Sequence, residues 1–343
     1  MATHGSTGGE PTALPVRTLG RSGVPVTALG FGAAALAGLY EDVGEEPAAA
    51  AVEAAWDEGI RYFDTAPHYG LGLSERRLGA VLRDKPRDAF TLSTKVGRLL
   101  EPYDGGGDDR ANGFAVPATH RRRWDFSADG VRRSLEDSLT RLGLDRVDLV
   151  LLHDPDDHER QAFDEAYPAL EELRAQGVAR AIGAGMNRTR MLTRFLTDTD
   201  VDAVLCAGRY TLLEQGALRA LLPAAEAAGK SVIVGGVFNS GLLADPAPGA
   251  TYDYTAAPDG LLRRAVRMRE VTEAHGVPLR AAALRFPFGH PAVAAVLVGA
   301  RSAAQTVDAA EQYRRPVPGA VWQALRERDL LPDHAPIPEG DRS

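Results

Sequence analysis

The sequence predicts an α/β protein built as a single (β/α)8 TIM barrel, and three observations support this fold. Short apolar runs of β type alternate with longer segments of helical period along almost all of the 343 residues. Eight such units are present, and parallel strands with crossover helices close most economically into a barrel at that number. No linker rich in Pro, Gly or Ser divides the chain into two halves.

Eight apolar runs are expected to be the barrel strands: 28–32, 62–64, 90–95, 147–153, 179–186, 203–206, 231–235 and 293–298. The segments of helical period are 48–58, 74–82, 128–142, 164–176, 188–197, 216–228, 261–275 and 303–312. A glycine can take the left-handed conformation that ends a helix. Five of the segments are followed by one: Gly59, Gly143, Gly177, Gly229 and Gly276.

Two segments lie outside this repeat. Residues 16–19 and 24–27 predict a β-hairpin suited to closing the bottom of the barrel. Residues 98–126 predict a long lid loop after the third strand, because loops of this length in a compact domain are usually lids or binding loops. We therefore expect a flexible tail over residues 1–15, one barrel domain over 16–330, and a C-terminal tail over 331–343.

Composition and charge exclude several classes of function. The chain has 39 Lys and Arg against 47 Asp and Glu, a formal net charge of −8, so a nucleic-acid backbone would be repelled. The longest apolar runs, 147–152 and 292–298, are far shorter than the about 18 residues of a membrane span. The first residues lack the basic and apolar regions of a secretory signal, so we expect a cytoplasmic protein. The lone Cys206 excludes an intramolecular disulfide.

Polar side chains stand at or just after the ends of three consecutive predicted strands. Asp64 ends the second strand, with Tyr69 in the following loop, Lys95 ends the third and His153 the fourth. In α/β barrels the active site lies at this end of the strands. Each residue taken singly also has a structural interpretation, as a helix cap, a solvated charge or a buried histidine. Their joint position favours a catalytic site.

This set of side chains suits proton transfer at a carbonyl or alcohol oxygen. A phenol, whose ordinary pKa is about 10, is a poor acid or base near neutrality. We expect the ammonium of Lys95 to lower the pKa of Tyr69, and the carboxylate of Asp64 to keep Lys95 charged and oriented. His153 is expected to form a hydrogen bond with the substrate oxygen.

Several motifs resemble those of the aldo-keto reductases. They are RTLGRSGVPVTALGFG, DTAPHYG, STKVG, LLHDPD, GAGMN and LVGARS, in that order, and the likeness covers residues 16–313. Within that superfamily, GAGMN, AGRYTLLE and GGVFNSGLLA are similar to the branch that contains L-fucose dehydrogenase, D-threo-aldose 1-dehydrogenase and pyridoxal 4-dehydrogenase.

The resemblance implies an enzyme that binds NAD or NADP without a Rossmann domain. Hydride would move between nicotinamide C4 and a small sugar hemiacetal or aldehyde, with Tyr69 as general acid or base. Asn187 would hold the carboxamide, Gly241 and Leu242 would lie along the pyrophosphate, and residues after the eighth strand would bind the adenosine end. The cofactor contacts so implied are Gly32, Ala33, Asn187, Ser240, Gly241, Leu242, Gly299, Arg301, Ser302, Gln305 and Asp308.

The sequence departs from the family pattern around the nicotinamide. Many members have a glutamine before the tyrosine that follows the sixth strand, and a tyrosine that stacks on the ring; here Ala207, Gly208 and Gly235 stand at those positions. From residue type alone, Tyr210 or Phe238 is expected to supply the stacking surface.

The choice between NAD and NADP stays open at this point. Arg301 could bind a 2′-phosphate through both guanidinium nitrogens, but Asp308 lies nearby in the sequence. On the substrate side we expect contacts from Tyr40, His68 and Trp124. The expected partner is a small carbonyl compound or sugar, and the oligomeric state is left open.

Other signals are weaker. Gly30-Phe31-Gly32 resembles the start of a dinucleotide fingerprint but lacks the rest of it. No metal is expected, because no HxH pair or carboxylate triad is present and Lys95 would repel the ion. The run 121–123, three arginines, is interpreted as a solvated loop face.

Two alternative functions remain beside the aldose dehydrogenase. One is a general NADPH-dependent reductase of aldehydes and ketones. The other is a regulatory barrel that binds the cofactor without turnover, which the complete catalytic set disfavours. A metal-dependent barrel hydrolase is a third and weaker possibility.

Overall fold

A computed structural model of the chain describes residues 13–253 and 255–339. Eight parallel strands form a closed barrel in the order β3, β4, β5, β8, β9, β10, β11 and β14, with β14 pairing back to β3. The predicted (β/α)8 fold is confirmed. The strands are β1 (Val16–Thr18), β2 (Pro25–Thr27), β3 (Leu29–Gly32), β4 (Tyr62–Asp64), β5 (Thr91–Val96), β6 (Arg98–Pro102), β7 (His120–Trp124), β8 (Leu149–His153), β9 (Ala181–Met186), β10 (Ala203–Ala207), β11 (Ser231–Gly235), β12 (Thr251–Tyr252), β13 (Thr255–Ala256) and β14 (Val293–Val298).

Helices surround the barrel and mostly follow the predicted segments. They are α1 (Glu45–Asp57), α2 (Leu73–Leu82), α3 (Ala128–Leu142), α4 (Glu159–Gln161), α5 (Tyr167–Ala175), α6 (Thr189–Asp198), α7 (Leu221–Ala228), α8 (Asp259–Ala274), α9 (Leu279–Arg285), α10 (Ala303–Arg314) and α11 (Gly319–Glu327), with a π-helical turn, Ala162–Ala166, between α4 and α5. All five predicted capping glycines have φ between 62° and 81°, as a left-handed helix end requires. Helices α4, α9 and α11 were not predicted.

The interior of the barrel is filled by apolar side chains from the strands, such as Leu149, Leu151 and Ile233. Leu19 and Val26, from the predicted N-terminal hairpin, pack into the same cluster. The hairpin therefore closes the bottom of the barrel, as expected, and leaves the other end to carry polar groups. Parallel strands that are buried on both faces read as continuous apolar runs in the sequence, which explains why most of them were found.

The segment after β5 is not the uniform loop that its length predicted. Residues 98–102 and 120–124 form the antiparallel pair β6–β7, and the chain between them folds back towards the barrel. Phe114 forms an isolated bridge with Leu39, and the amide of Ala115 donates to the carbonyl of Gly38 at 2.8 Å. We call residues 98–126 the insertion.

The predicted tails fall partly outside the described residues, which leave out 1–12 and 340–343. The boundaries proposed for the barrel domain stay predictions. Within the described ranges, no helix is long and apolar enough to cross a membrane.

Close packing between α2 and α3 gives a stability prediction. A Cβ on Gly79 would lie 2.0 Å from the carbonyl oxygen of Leu142, so Gly79→Ala should destabilise the protein by about 2 kcal/mol or more through overpacking. For Gly260, in α8, no atom of the described ranges lies within 4 Å of such a Cβ. Gly260→Ala should instead be neutral or stabilising by up to about 1 kcal/mol. Urea unfolding of both variants measures the difference, and equal stabilities would contradict it.

Candidate active site

Lys95 lies at the centre of the site, and its ammonium group is fully paired. Its Nζ donates to Asp64 Oδ2 at 2.6 Å, to the carbonyl oxygen of Thr65 at 2.9 Å and to the hydroxyl of Tyr69 at 3.1 Å. An ammonium has three protons to donate, so this arrangement uses all of them. The strands set the position, because Asp64 in β4 pairs with Ser93 in β5 and Ser93 Oγ donates to Asp64 Oδ1 at 2.7 Å.

Lys95 keeps its charge although it is almost completely buried, with only 1% of the residue exposed. Burial by itself would lower its pKa, but the carboxylate of Asp64 and the oxygen of Tyr69 outweigh that effect and raise the pKa above its ordinary value. Lys95 is therefore a cation at neutral pH beside the tyrosine, as the sequence predicted.

The pKa of Tyr69 differs from the expected value, which was a lowered one. Burial raises it, and the charge of Lys95 and its hydrogen bond lower it, but burial is the stronger effect and the net shift is upward. The expected net lowering is wrong, because burial of a side chain depends on the whole fold and is not visible in the motif. At neutral pH Tyr69 is a protonated phenol, which can donate a proton to a carbonyl oxygen.

His153 ends β8, and its ring is 5.7 Å from that of Tyr69, centroid to centroid. Burial, and then the positive charges of Arg98 and Lys95, hold its pKa well below the usual value. His68 lies 5.5 Å from His153, and the same kinds of cause lower its pKa to about 2. Both imidazoles are neutral at physiological pH. The Nδ1 atom of His153 is buried without a hydrogen-bond partner among the described residues.

These groups open onto a cavity of about 590 Å³, within the size range of small-molecule sites. It is lined by Tyr69, Lys95 and His153, and by three residues that were predicted to contact ligands: Tyr40, His68 and Asn187. The insertion forms one wall with residues 110–115, which sequence reasoning did not identify individually.

The insertion is attached through Arg122 to the loop after β4, which carries His68 and Tyr69. This side chain, only 5% exposed, forms a salt bridge with the buried carboxylate of Asp109. Its Nη2 also donates to the carbonyl oxygen of His68 at 2.8 Å. The interpretation of residues 121–123 as a solvated face is therefore wrong for Arg122, because its acidic partner, 13 positions earlier, meets it only when the insertion folds.

Some predicted cofactor residues lie around the same end of the barrel. Asn187 follows β9 and lines the cavity, and Gly32 pairs with Asp64 at the end of β3. Ala33 follows Gly32, and a Cβ on Gly299 would lie 3.6 Å from the carbonyl oxygen of Gly32. After β11 the chain is left-handed at Ser240 and Gly241, with φ of 58° and 101°.

Other predicted positions do not face the cavity. Tyr210 is fully buried in the core, with its ring 5.3 Å from that of Phe286; it cannot stack on a nicotinamide, so this expectation is wrong. The side chain of Leu242 is also fully buried, and Phe238 packs against the same core. Trp124 is 45% exposed on β7 and does not line the cavity.

The residues after β14 interact mainly with protein groups. Arg301 forms an ion pair with Glu41 from the loop after β3, and its amide donates to Gln305 Oε1 at 2.9 Å. Ser302 caps α10 by accepting from the amide of Gln305. Asp308 pairs with Arg280 of α9 at 3.0 Å. In the described part of the chain, no three His, Cys, Asp or Glu side chains are grouped to hold a metal ion.

Comparison with known proteins decides the family. The model of the Aldo/keto reductase family matches residues 28–329. The chain belongs to the aldo/keto reductase family. The holo form of an aldo-keto reductase from Bacillus halodurans has a similar structure, with a TM-score of 0.74 and 28% sequence identity over 93% of this chain and 96% of that one.

Two relatives within the family match over nearly their full length. A D-threo-aldose 1-dehydrogenase from Pseudomonas sp is 47% identical over 91% of this chain and 96% of that protein. A pyridoxal 4-dehydrogenase from Microbacterium luteolum is 40% identical over 92% of this chain and 97% of that protein. The branch predicted from the motifs is confirmed, and this aldo-keto reductase is an NAD(P)-dependent oxidoreductase.

The neutral His68 gives a prediction about acid stability. The unfolded chain, with a histidine pKa of about 6.5, binds more protons than the folded one between that pH and about 2. Stability must therefore fall as the pH is lowered through this range. Going from pH 7 to pH 5 should cost the wild type about 2 kcal/mol more than His68→Gln, measured by urea unfolding. The exposed His275→Gln serves as the control for removal of a histidine, and equal losses in wild type and His68→Gln would contradict the assignment.

Proposed function

We propose that this aldo-keto reductase is an aldose 1-dehydrogenase, which oxidises the hemiacetal carbon of a small sugar. The observation that carries the proposal is the chemistry of the cavity. Beside the proton-transfer groups it is lined by hydrogen-bonding side chains on several sides, among them Tyr40, Asn112, Asp154 and Asn187. Such a lining suits a substrate with many hydroxyls better than a plain hydrocarbon aldehyde. The relative named D-threo-aldose 1-dehydrogenase supports the same substrate class.

The residues present fit a nicotinamide dinucleotide. Asn187 offers an amide at the cavity wall. Among the described residues, no atom lies within 4 Å of a Cβ position on Gly241, and the buried Nε of Arg301 has no hydrogen-bond partner. We propose Asn187 for the carboxamide, residues 240–242 for the pyrophosphate and residues 299–302 for the adenosine end. When bound, the cofactor exchanges a hydride at nicotinamide C4 with the substrate carbon.

The protein groups then have separate tasks. In oxidation the Tyr69 oxygen takes the proton of the substrate hydroxyl, and in reduction it returns that proton to the carbonyl oxygen. Lys95 stabilises the phenolate form in both directions, and Asp64 balances the lysine charge. The neutral ring of His153 holds the reacting oxygen by a hydrogen bond, which fixes the substrate carbon in place.

We further propose NAD as the preferred cofactor. The positive charge of Arg301, which would attract a 2′-phosphate, is already paired with Glu41. A 2′-phosphate placed there would also meet the carboxylate of Glu41. A second carboxylate near this end, that of Asp308, is paired with Arg280, so it adds little to the repulsion of a 2′-phosphate.

Removal of the Tyr69 hydroxyl tests the function. Tyr69→Phe should lower kcat for L-fucose oxidation by about 100-fold or more, the usual range for general acid–base catalysis, while cofactor binding, followed by fluorescence, stays close to wild type. Tyr167→Phe, on α5, is the matched control and should keep full activity. Retention of more than about a tenth of the activity by Tyr69→Phe would remove this residue from the role. If the wild type consumes NADPH with aldehydes but oxidises no aldose, the general reductase is correct instead.

The raised pKa of Tyr69 predicts the pH dependence of oxidation. Because the phenolate is the base, the fraction of active enzyme increases as pH rises towards the pKa of Tyr69. We expect kcat for aldose oxidation to rise between pH 7 and pH 10, measured by absorbance of the reduced cofactor at 340 nm. A rate that falls over this range would contradict the assignment.

Removal of the Glu41 charge tests the cofactor preference. Glu41→Gln should raise kcat/KM for NADP relative to NAD by about tenfold, equivalent to about 1.4 kcal/mol, because Arg301 becomes free to bind the 2′-phosphate. Glu46→Gln removes an exposed acidic charge from the first turn of α1 and is the control. A wild type that already prefers NADP would refute the proposal.

A further inference from the structure

Asp154 has an unusual backbone at the wall of the cavity. It follows His153 directly, lines the cavity and has φ of +43°. This left-handed conformation is uncommon for any residue but glycine, and it costs on the order of 1 kcal/mol. Its amide donates to the carbonyl oxygen of Gly185 at 3.1 Å, which holds the turn. Strain of this kind is frequent where a side chain must be presented to a ligand.

Among the residues that the structure describes, only one oxygen of the Asp154 carboxylate accepts a hydrogen bond. Oδ2 accepts a hydrogen bond from Arg98, whose guanidinium is buried. No donor among the described residues reaches Oδ1, although each carboxylate oxygen can accept. The side chain is 35% exposed. Arg98 therefore holds the carboxylate in place and leaves an acceptor available at the cavity.

No other acidic side chain lines this cavity in the described part of the chain. The carboxylate of Asp64 is engaged on both oxygens, by Lys95 and Ser93. Asp154 is thus the strongest available acceptor for a hydroxyl that enters.

The distance to His153 indicates which hydroxyl is involved. Asp154 Oδ2, the oxygen bound by Arg98, lies 3.7 Å from His153 Nε2. The free Oδ1 belongs to the same carboxylate, so it also lies in the neighbourhood of the histidine. Two neighbouring hydroxyls of one sugar can therefore be bound side by side, one at the histidine and one at the carboxylate. The first is the reacting hydroxyl, so the second is on the adjacent carbon.

We propose that Asp154 accepts a hydrogen bond from the hydroxyl next to the oxidised carbon, and that it selects hydroxylated substrates over plain aldehydes. This inference rests on the proposed aldose dehydrogenase function. Arg98 is a positioning residue, because it acts only by holding the carboxylate. A site built to bind a hydroxyl discriminates against analogues that lack it.

The test compares L-fucose with 2-deoxy-L-fucose, which lacks the adjacent hydroxyl. In Asp154→Asn, Arg98 retains the amide oxygen, so the NH2 group replaces the free acceptor. We expect kcat/KM for L-fucose to fall 10- to 100-fold, mainly through KM, by analogy with loss of one hydrogen bond to a charged group. For the deoxy sugar the change should stay within about threefold.

Asp156→Asn is the matched control, since Asp156 pairs with Arg188 at 3.4 Å and does not line the cavity. It should leave both sugars within about twofold of wild type. Each variant is compared with wild type for the same sugar, so the intrinsic reactivity of the deoxy compound cancels.

The outcomes distinguish a failure of this inference from a failure of the proposed aldose dehydrogenase function. If the wild type oxidises L-fucose and Asp154→Asn loses activity equally on both sugars, the role is structural and the inference is overturned. No loss on either sugar overturns it as well. If the wild type oxidises no aldose at all, the proposed function itself fails, and the assignment of Asp154 falls with it.

Discussion

The buried ammonium of Lys95 constrains the whole site, because burial of an unpaired charge costs several kcal/mol. Its three acceptors come from the end of β4, from the residue that follows it and from the loop that carries Tyr69. They converge only if β4 and β5 keep their register, with Asp64 opposite Ser93. Stability and chemistry therefore favour the same arrangement: the contacts that compensate the charge also orient the phenol.

Positive charge is concentrated here in a protein whose net charge is −8. Lys95, Arg98 and Arg122 lie near His68 and His153 and, after burial itself, are the main reason that both rings are neutral. A neutral ring can take part in a hydrogen bond with a substrate oxygen without contributing a second mobile charge. The acidic partners Asp64, Asp109 and Asp154 pair with these three cations, which limits the electrostatic cost of the cluster.

Much of the fold could be predicted from the sequence because its signals are local. Strands buried on both faces show as apolar runs, and helix ends such as Gly143 and Gly229 are marked by glycine. The strand ends also located the four catalytic candidates. Helix α9 is only seven residues long, too short for a clear period, and it was missed. The burial of Tyr210 and the net pKa of Tyr69 depend on neighbours distant in sequence, as does the pair Arg98–Asp154, 56 positions apart. No local pattern encodes these contacts.

The insertion leaves the barrel and returns to it through a single pair of strands, with Arg98 opposite Trp124. The residues of the insertion that line the cavity, 110–115, lie in the chain between these two strands and not in the barrel itself. Mutations at these wall residues can reshape the cavity while Arg98, Arg122 and strands β4, β5 and β8 stay as they are. Over evolutionary time the range of substrates can therefore diverge faster than the proton-transfer chemistry, which a barrel of this kind can retain almost unchanged.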